Sequence, residues 1–439
     1  MSRQRVLVIG HTDVGRRVCA LLSERGIDTV HLDDPSDAEI HALVTEDVTG
    51  VAVLLHDDIR ALRYSLVVEH LRPGIRLFVA IFDRTVRMQL EAEVPNCVVM
   101  SPAAISVPSM VAAAVAPMHG AIRRRGGPSL REWVSITHGS SYTVREFIPS
   151  TRLRIRGAMG ILRGQGRAYD QGSVVLLAGA AGLAVVTAID TWVGSRHDGF
   201  LVALHDAVLT TATVQSPPIG DHPGLLVWAS VAVALAMGLT AAFGAGIVHH
   251  LLEGRHVGLF GRRVAPRSGH VIVAGMGQVG LRLAQELREL RIAVVGIEQR
   301  RDARTLTMAK ALGVPVIIDD ASSQGVLRRA GIRRSLAVVA AGSDERDNIA
   351  IAIAARAAAP DIDVVIRAGS DDAIAETRSL FRIGAAIDVN ALTAAFVAQA
   401  VRGARPYLTL HADADIVAID DAGTVLDHFA AQTAYCTCR

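Results

Sequence analysis

One run of the sequence, Gly275-Met276-Gly277-Gln278-Val279-Gly280, sets three glycines where an apolar strand would turn into a helix. Glycine at the first position permits a tight turn, at the second it lets backbone approach a pyrophosphate, and at the third it lets the helix lie close on the strand. The helix N-terminus then faces an anion with unpaired N–H groups and the positive end of its dipole. Glu298 follows directly on the next apolar run, Ile292 to Ile297. A carboxylate there can accept from both ribose hydroxyls of an adenosine, which favours NAD-type ligands over 2′-phosphorylated ones. Arg300 and Arg301 beside it blunt that preference. The chemistry on offer is binding. No nucleophile elbow, His-Glu-x-x-His motif or P-loop occurs in the chain, and neither a catalytic group nor a metal set is assigned.

The elements that must position these residues follow from the spacing of apolar runs. His270 to Ala274 is a strand, and Leu281, Leu283, Ala284 and Leu287 continue as a helix. Further strands are expected at Val314 to Ile318, Leu336 to Ala340, Asp363 to Arg367 and Ala385 to Asp388, alternating with Ala-rich helices. The pattern predicts a six-stranded parallel sheet over residues 268–403. Residues 1–118 repeat the plan in a degenerate form. Arg5 to Ile9 leads into Gly10-His11-Thr12-Asp13-Val14-Gly15, and Asp33 stands as far beyond Gly10 as Glu298 stands beyond Gly275. This first copy lacks one strand and helix, because the stretch from Asp33 to Val51 is about half as long as that from Glu298 to Leu336. Thr12 replaces the middle glycine, and its Cβ would crowd a pyrophosphate, so the copy is expected to bind nucleotide poorly or to serve as a packing partner. Residues 119–171 are expected to form a β-rich linker and a basic juxtamembrane segment, with Arg123-Arg124-Arg125 as solvated linker charge.

The composition excludes whole classes. Of 439 residues 51% are hydrophobic, 45 basic side chains are balanced by 43 acidic ones, and aromatics are only 4%. A chain this apolar is not mainly disordered, and a net charge of +2 gives no basic field for nucleic acid. Four cysteines, Cys19, Cys97, Cys436 and Cys438, build no disulfide scaffold, so a reducing compartment is expected. The opening apolar run, Val6 to Ile9, is too short for an export signal. Residues 172–189 and 224–248 are uncharged and long enough to span a hydrocarbon core of about 30 Å. Nine arginines flank these spans on one side (Arg152, Arg154, Arg156, Arg163 and Arg167; Arg255, Arg262, Arg263 and Arg267), against Arg196 alone between them. Both termini are therefore expected to be cytoplasmic, in a multi-pass protein of the cell membrane. Between the spans, residues 200–221 are expected to form a re-entrant, pore-like loop in which Thr210, Thr211, Thr213, Val214, Gly220 and Asp221 line the path. Within the 172–250 transmembrane domain, Gly238, Ala242 and Gly246 would ease close helix approach, and His249 and His250 end the second span.

With these features in place, residues 269–403 resemble the nucleotide-binding domain of the RCK/TrkA-N family, cytoplasmic regulators of potassium channels and transporters. The resemblance is carried by the glycine run, Glu298, the Asp319-Asp320-Ala321-Ser322 turn and the segment Ser343-Asp344-Glu345-Arg346-Asp347-Asn348. It implies cofactor contacts at Gly275, Met276, Gly277, Gln278, Val279, Gly280, Glu298, Gln299, Asp319 and Asp320, with NAD or NADH as ligand and ADP or ATP as alternatives. It also implies a homotetramer in the lipid bilayer that handles a monovalent cation. The family's potassium filter, Thr-Val-Gly-Tyr-Gly-Asp, is missing: Thr213-Val214 is followed by Gln215-Ser216-Pro217-Pro218, and no Gly-Tyr-Gly occurs anywhere. Two prolines cannot supply its carbonyl ladder.

The expectation is thus two Rossmann-type α/β domains around a two-span, pore-like α-helical domain, acting as a nucleotide-regulated ion channel. The alternative is a regulatory membrane subunit of a cation transporter, without conduction of its own. A membrane-anchored NAD-dependent oxidoreductase is disfavoured, because the short C-terminal tail expected at 404–439 leaves no room for a substrate domain.

Overall fold

A computed structural model describes residues 4–45, 47–125, 132–138, 142–148, 171–196, 199–212, 223–252, 266, 268–301, 304–369, 384–412 and 415–430. The chain divides into two compact units, one formed by Met1–Gln165 with Val264–Arg439 and the other by Gly166–Arg263.

The first unit holds two parallel sheets. One carries β1 (Arg5–Ile9), β2 (Asp28–Leu32), β3 (Val48–Val53), β4 (Arg76–Ala80) and β5 (Cys97–Met100) in the order β2-β1-β3-β4-β5. Between and after them run α1 (Asp13–Ser23), α2 (Asp37–Leu43), α3 (Asp58–Leu71), α4 (Arg84–Glu93) and α5 (Pro102–Val115). Three antiparallel strands follow, β6 (Ala121–Arg125), β7 (Glu132–His138) and β8 (Tyr142–Glu146).

The second unit of the chain holds α6 (Gln171–Gly194), α7 (Phe200–Thr211) and α8 (Pro223–Leu252). The first unit then resumes with β9 (His270–Ala274), α9 (Gln278–Glu289), β10 (Ala293–Glu298), α10 (Arg304–Ala311), β11 (Val316–Ile318), α11 (Gln324–Arg329), β12 (Ala337–Ala340), α12 (Glu345–Ala358), β13 (Asp363–Ala368), β14 (Ala385–Asp388) and α13 (Val389–Val401). These strands make the six-stranded sheet β11-β10-β9-β12-β13-β14. Runs such as Val271-Ile272-Val273 are buried on both faces, which suits a parallel sheet covered by helices. Without its edge strand β11, this sheet has the same order as the first.

The two sheets share one core. Val18, Leu21 and Leu22 of α1 and Met110 and Val111 of α5 are buried with Leu283 and Leu287 of α9 and Leu392 and Val397 of α13. Helix α5 lies against α9, and α13 lies against α1. The close packing follows from Ala-rich surfaces: α5 and α13 are apolar nearly all round, as fully buried helices are.

Two expectations change here. Residues 404–439 are more than a tail, since β15 (Leu408–Ala412), β16 (Asp415–Ile419) and β17 (Val425–Ala430) form an antiparallel sheet. Their alternating pattern buries Leu408, Leu410, Val417 and Ile419 against Ala121 and Ile136 of the other three-stranded sheet. Cys436 and Cys438 lie outside the described residues. The Arg123–Arg125 run is a strand and not a solvated linker. Arg124 Nη1 stands 2.8 Å from Glu289 Oε2, and the Arg123 guanidinium lies 4.4 Å over the Tyr407 ring.

In the second unit, α6 packs on α8 and α7. Close approach comes from glycines of α6. A Cβ on Gly179 would stand 2.9 Å from Phe243 N, and one on Gly182 would stand 2.6 Å from Leu239 Cδ2. The expected contact at Gly238 does not form, since a Cβ there would meet nothing within 4 Å. Among the described residues one helical stretch, Val227–Ala245, is long and apolar enough to cross a membrane. The apolar stretch of α6, Ala178–Gly194, is shorter.

Candidate functional site

The turn after β9 is made of glycine for two steric reasons. Gly275 has φ +85°, in the left-handed region, and a Cβ on it would stand 2.7 Å from Gly342 N. A Cβ on Gly280 would fall 1.9 Å from Gly275 O, so α9 rests directly on the turn. Gly277 is different, because a Cβ there would meet nothing within 4 Å. It is also the N-cap of α9 and supplies no side-chain cap, which leaves open space in front of the helix's first-turn N–H groups.

Glu298 ends β10 beside this space and is only 8% exposed. Its Oε2 accepts from Met276 N at 2.8 Å and its Oε1 from Arg300 N at 3.1 Å. Two backbone donors thus fix the carboxylate, and each oxygen keeps a lone pair for a further donor. Asp319 N donates to Glu298 O at 3.1 Å, and the Asp319 carboxylate pairs with Arg329. Asp320 closes its own turn by accepting from Ser322 N and Ser322 Oγ, each at 2.8 Å.

These groups border a cavity of about 780 Å³, within the range of about 300–1,000 Å³ usual for ligand sites. Of the sequence-predicted cofactor contacts, Gly275, Gly277, Gln278, Val279, Glu298, Gln299, Asp319 and Asp320 line it. Met276 and Gly280 do not. The Met276 side chain is fully buried in the core, and Gly280 serves the helix packing.

The cavity has walls that sequence spacing did not indicate. Gly342, Asn348, Arg367 and Asn390 line its far side, while Thr12, His56 and Phe82 reach it from the first sheet. Asn348 is fully buried and pins this side: its Nδ2 donates to Gly342 O at 3.0 Å and to Arg367 O at 2.9 Å, and its Oδ1 accepts from Gly342 N at 3.0 Å. It belongs to the Ser343–Asn348 segment, so a signal for it did exist. Burial holds the His56 pKa below its ordinary value, reinforced by His11 and Arg367 and opposed by Asp13.

Thr12 occupies the place of Gly277 in the first half. Its Oγ1 donates to Leu54 O at 2.8 Å and accepts from Gly15 N at 3.2 Å, so the end of α1 is capped from within. Of the predicted pore-lining residues, Thr210 is buried with its hydroxyl bonded to Asp206 O, and Thr211 bonds Ala207 O and Thr187 Oγ1. They turn back onto helical carbonyls. Thr213, Val214, Gly220 and Asp221 lie outside the described residues.

The TrkA-N domain family matches residues 271–390. Potassium channel protein 1 of Methanocaldococcus jannaschii is 26% identical over 180 residues, 38% of this chain and 53% of that one. The putative K(+) efflux antiporter KefB of Alkalimonas amylolytica is 28% identical over 109 residues, 25% of this chain and 16% of that one. The chain therefore spans about half or less of the length of these relatives. The solved structure of the GsuK channel bound to NAD aligns over 91% of this chain and 64% of its own, with a TM-score of 0.50 and 14% identity, a likeness of fold. Residues 271–390, which hold most of the six-stranded parallel sheet, are a TrkA-N domain.

Proposed function

We propose that the chain is a membrane protein of potassium transport in which an adenine nucleotide bound at Gly275, Gly277, Gln278 and Glu298 regulates cation movement. The carrying observation is the open space beside Gly277, in front of an uncapped helix end and next to a fixed carboxylate. NAD or NADH is the ligand of first choice, with ADP and ATP as alternatives; a potassium channel and a potassium antiporter among the relatives support the cation. Exposed Val227, Val231, Leu235 and Met237 on α8 support contact with lipid, in a homotetramer with both termini cytoplasmic. Residues 1–118 act as a degenerate partner domain, and 172–250 as the membrane domain. The ligand acts by binding two conformations unequally. No reaction is catalysed in this reading.

The test is purified protein in liposomes, with potassium and sodium flux followed with and without NAD, NADH and ADP, beside nucleotide titration of Gly277→Asp. The backbone at Gly277 suits any residue and its Cβ meets open space, so the variant should fold. Its carboxylate enters the phosphate position, and affinity should fall at least about tenfold, or ~1.4 kcal/mol. Unchanged affinity would remove this turn as the site. A second reading, a regulatory subunit that does not conduct, is favoured by the absence of Gly-Tyr-Gly. It predicts intact nucleotide binding with no flux under any nucleotide.

A further inference from the structure

The cavity extends beyond what the glycine turn and Glu298 need. In the order β11-β10-β9-β12-β13-β14, the carboxylates Glu298 and Asp319 stand beyond β10 and β11, on one side of the turn. Gly342 and Arg367 stand on the other side, at β12 and β13. A nucleotide with its ribose at Glu298 and its first phosphate at Gly277 therefore runs toward Arg367, across the point where the strand order reverses.

Arg367 lines this far end. Its main chain is held by Asn348, and Asn390 Nδ2 is engaged in donating to Gly369 O at 3.1 Å. Among the described residues the Arg367 guanidinium makes no hydrogen bond and no ion pair. Of the acidic groups on this side, Glu345 acts on it and already accepts from Gly369 N, while Asp344 and Asp347 also line the cavity and Asp344 caps α12 by accepting from Arg346 N and Asp347 N. Burial lowers the Arg367 pKa, yet a guanidinium remains charged at any physiological pH. From the first half, His56 reaches the same cavity beyond the end of β3, and His11 and Asp13 are the other charged groups that act on it. Asp13 is paired with Arg16 at 2.8 Å. Among the described residues none of these carboxylates bonds the Arg367 guanidinium, and a part-buried cation left without a direct partner is stabilised by an anion that arrives with the ligand.

We propose that Arg367 and His56 form an anion subsite spanning the two halves of the chain, which takes the terminal phosphate of an adenine nucleotide or a separate inorganic phosphate. The first source rests on the nucleotide reading above, and the second does not. The subsite ranks ligands by charge at their far end: ADP binds more tightly than AMP, and the positively charged ring of NAD+ is disfavoured against the neutral ring of NADH.

The experiment is calorimetric titration of the full-length, detergent-solubilised chain with AMP, ADP, NAD+, NADH and inorganic phosphate, on the parent and on Arg367→Gln and His56→Glu. His56 is solvent-accessible, so the second variant tests the idea should the first fail to fold. If the nucleotide supplies the anion, ADP binds the parent at least tenfold more tightly than AMP. Both variants then lose that margin while AMP affinity stays within twofold. If the anion is separate, phosphate binds the parent with or without AMP, and both variants lose it at least tenfold. Variants that leave ADP and phosphate affinities at parental values overturn the subsite. A parent that binds phosphate at Arg367 but no nucleotide would overturn the nucleotide reading and leave the subsite standing.

Discussion

His270 shows what a single buried side chain implies. It is fully buried at the start of β9, where Nε2–H donates to Ala330 O at 2.8 Å and Nδ1 is buried without a hydrogen-bond partner. Burial lowers its pKa below 6.5, and the Ala330 bond opposes that only in part. The folded state therefore holds the ring neutral while the unfolded chain takes up a proton as pH drops through about 6.5. The unfolded state then binds more protons, so stability falls with falling pH, by at most about 1.4 kcal/mol per unit for one group. Thermal melting between pH 5.5 and 8 should show this slope in the parent and a shallower one in His270→Gln. Equal slopes would mean that another group sets the acid limit. At this scale the sequence was informative where a residue type is forced by its backbone. Gly275 and Gly280 stand where a Cβ would collide, so their spacing is a motif. Arg367 and His56 obey no such local constraint: they meet only after strands from opposite halves of the chain have been placed, and no spacing announces them.

Elements tell a similar story with a different limit. The strands were legible because runs such as Val294-Val295 and Val338-Val339 are apolar on both faces, which only a covered parallel sheet explains. What α5 and α13 pack against was not legible, since a helix apolar all round carries no address. The address is ionic. Arg17 Nη1 of α1 stands 2.7 Å from Asp388 Oδ2, both side chains 1% exposed, and Asp388 Oδ1 caps α13 by accepting from Ala391 N at 2.8 Å. Asp388 N also donates to His411 Nε2 at 3.1 Å, which ties β15 to the same point. Asp388→Ala would leave a buried guanidinium without its carboxylate and uncap the helix, at a cost of about 3–5 kcal/mol. Pairing it with Arg17→Met removes the stranded charge and should recover most of the loss. Melting temperatures of the single and double variants decide the matter, and a double variant no more stable than the single would show that the cap, not the charge, is what matters.

For the whole molecule, the decisive fact is that the unit holding the two parallel sheets is discontinuous in the chain. Residues on either side of the inserted helices share one core, in which Met110 and Val111 of α5 are buried together with Leu283 and Leu287 of α9. Neither half alone can cover the apolar faces of α5 or α13. The sequence suggested two copies flanking a membrane domain, the first a poor binder or a packing partner, because each half has its own strand pattern. Which helices meet in the shared core was hidden, because no local pattern says which helix of the first half faces which helix of the second, with the whole helical insertion between them in the chain. This makes a direct prediction about dissected protein. Segments 1–165 and 264–439, expressed separately, should aggregate, since each exposes an apolar helix that natively has a partner. Expressed together and without the intervening helices, they should copurify as a 1:1 complex, held by the shared core and by the Arg17–Asp388 and Arg124–Glu289 pairs. A tag on one segment and sizing of the eluate give the answer. If each segment proves soluble and monomeric by itself, the shared core is not needed for folding, and regulation through it would lose its physical basis.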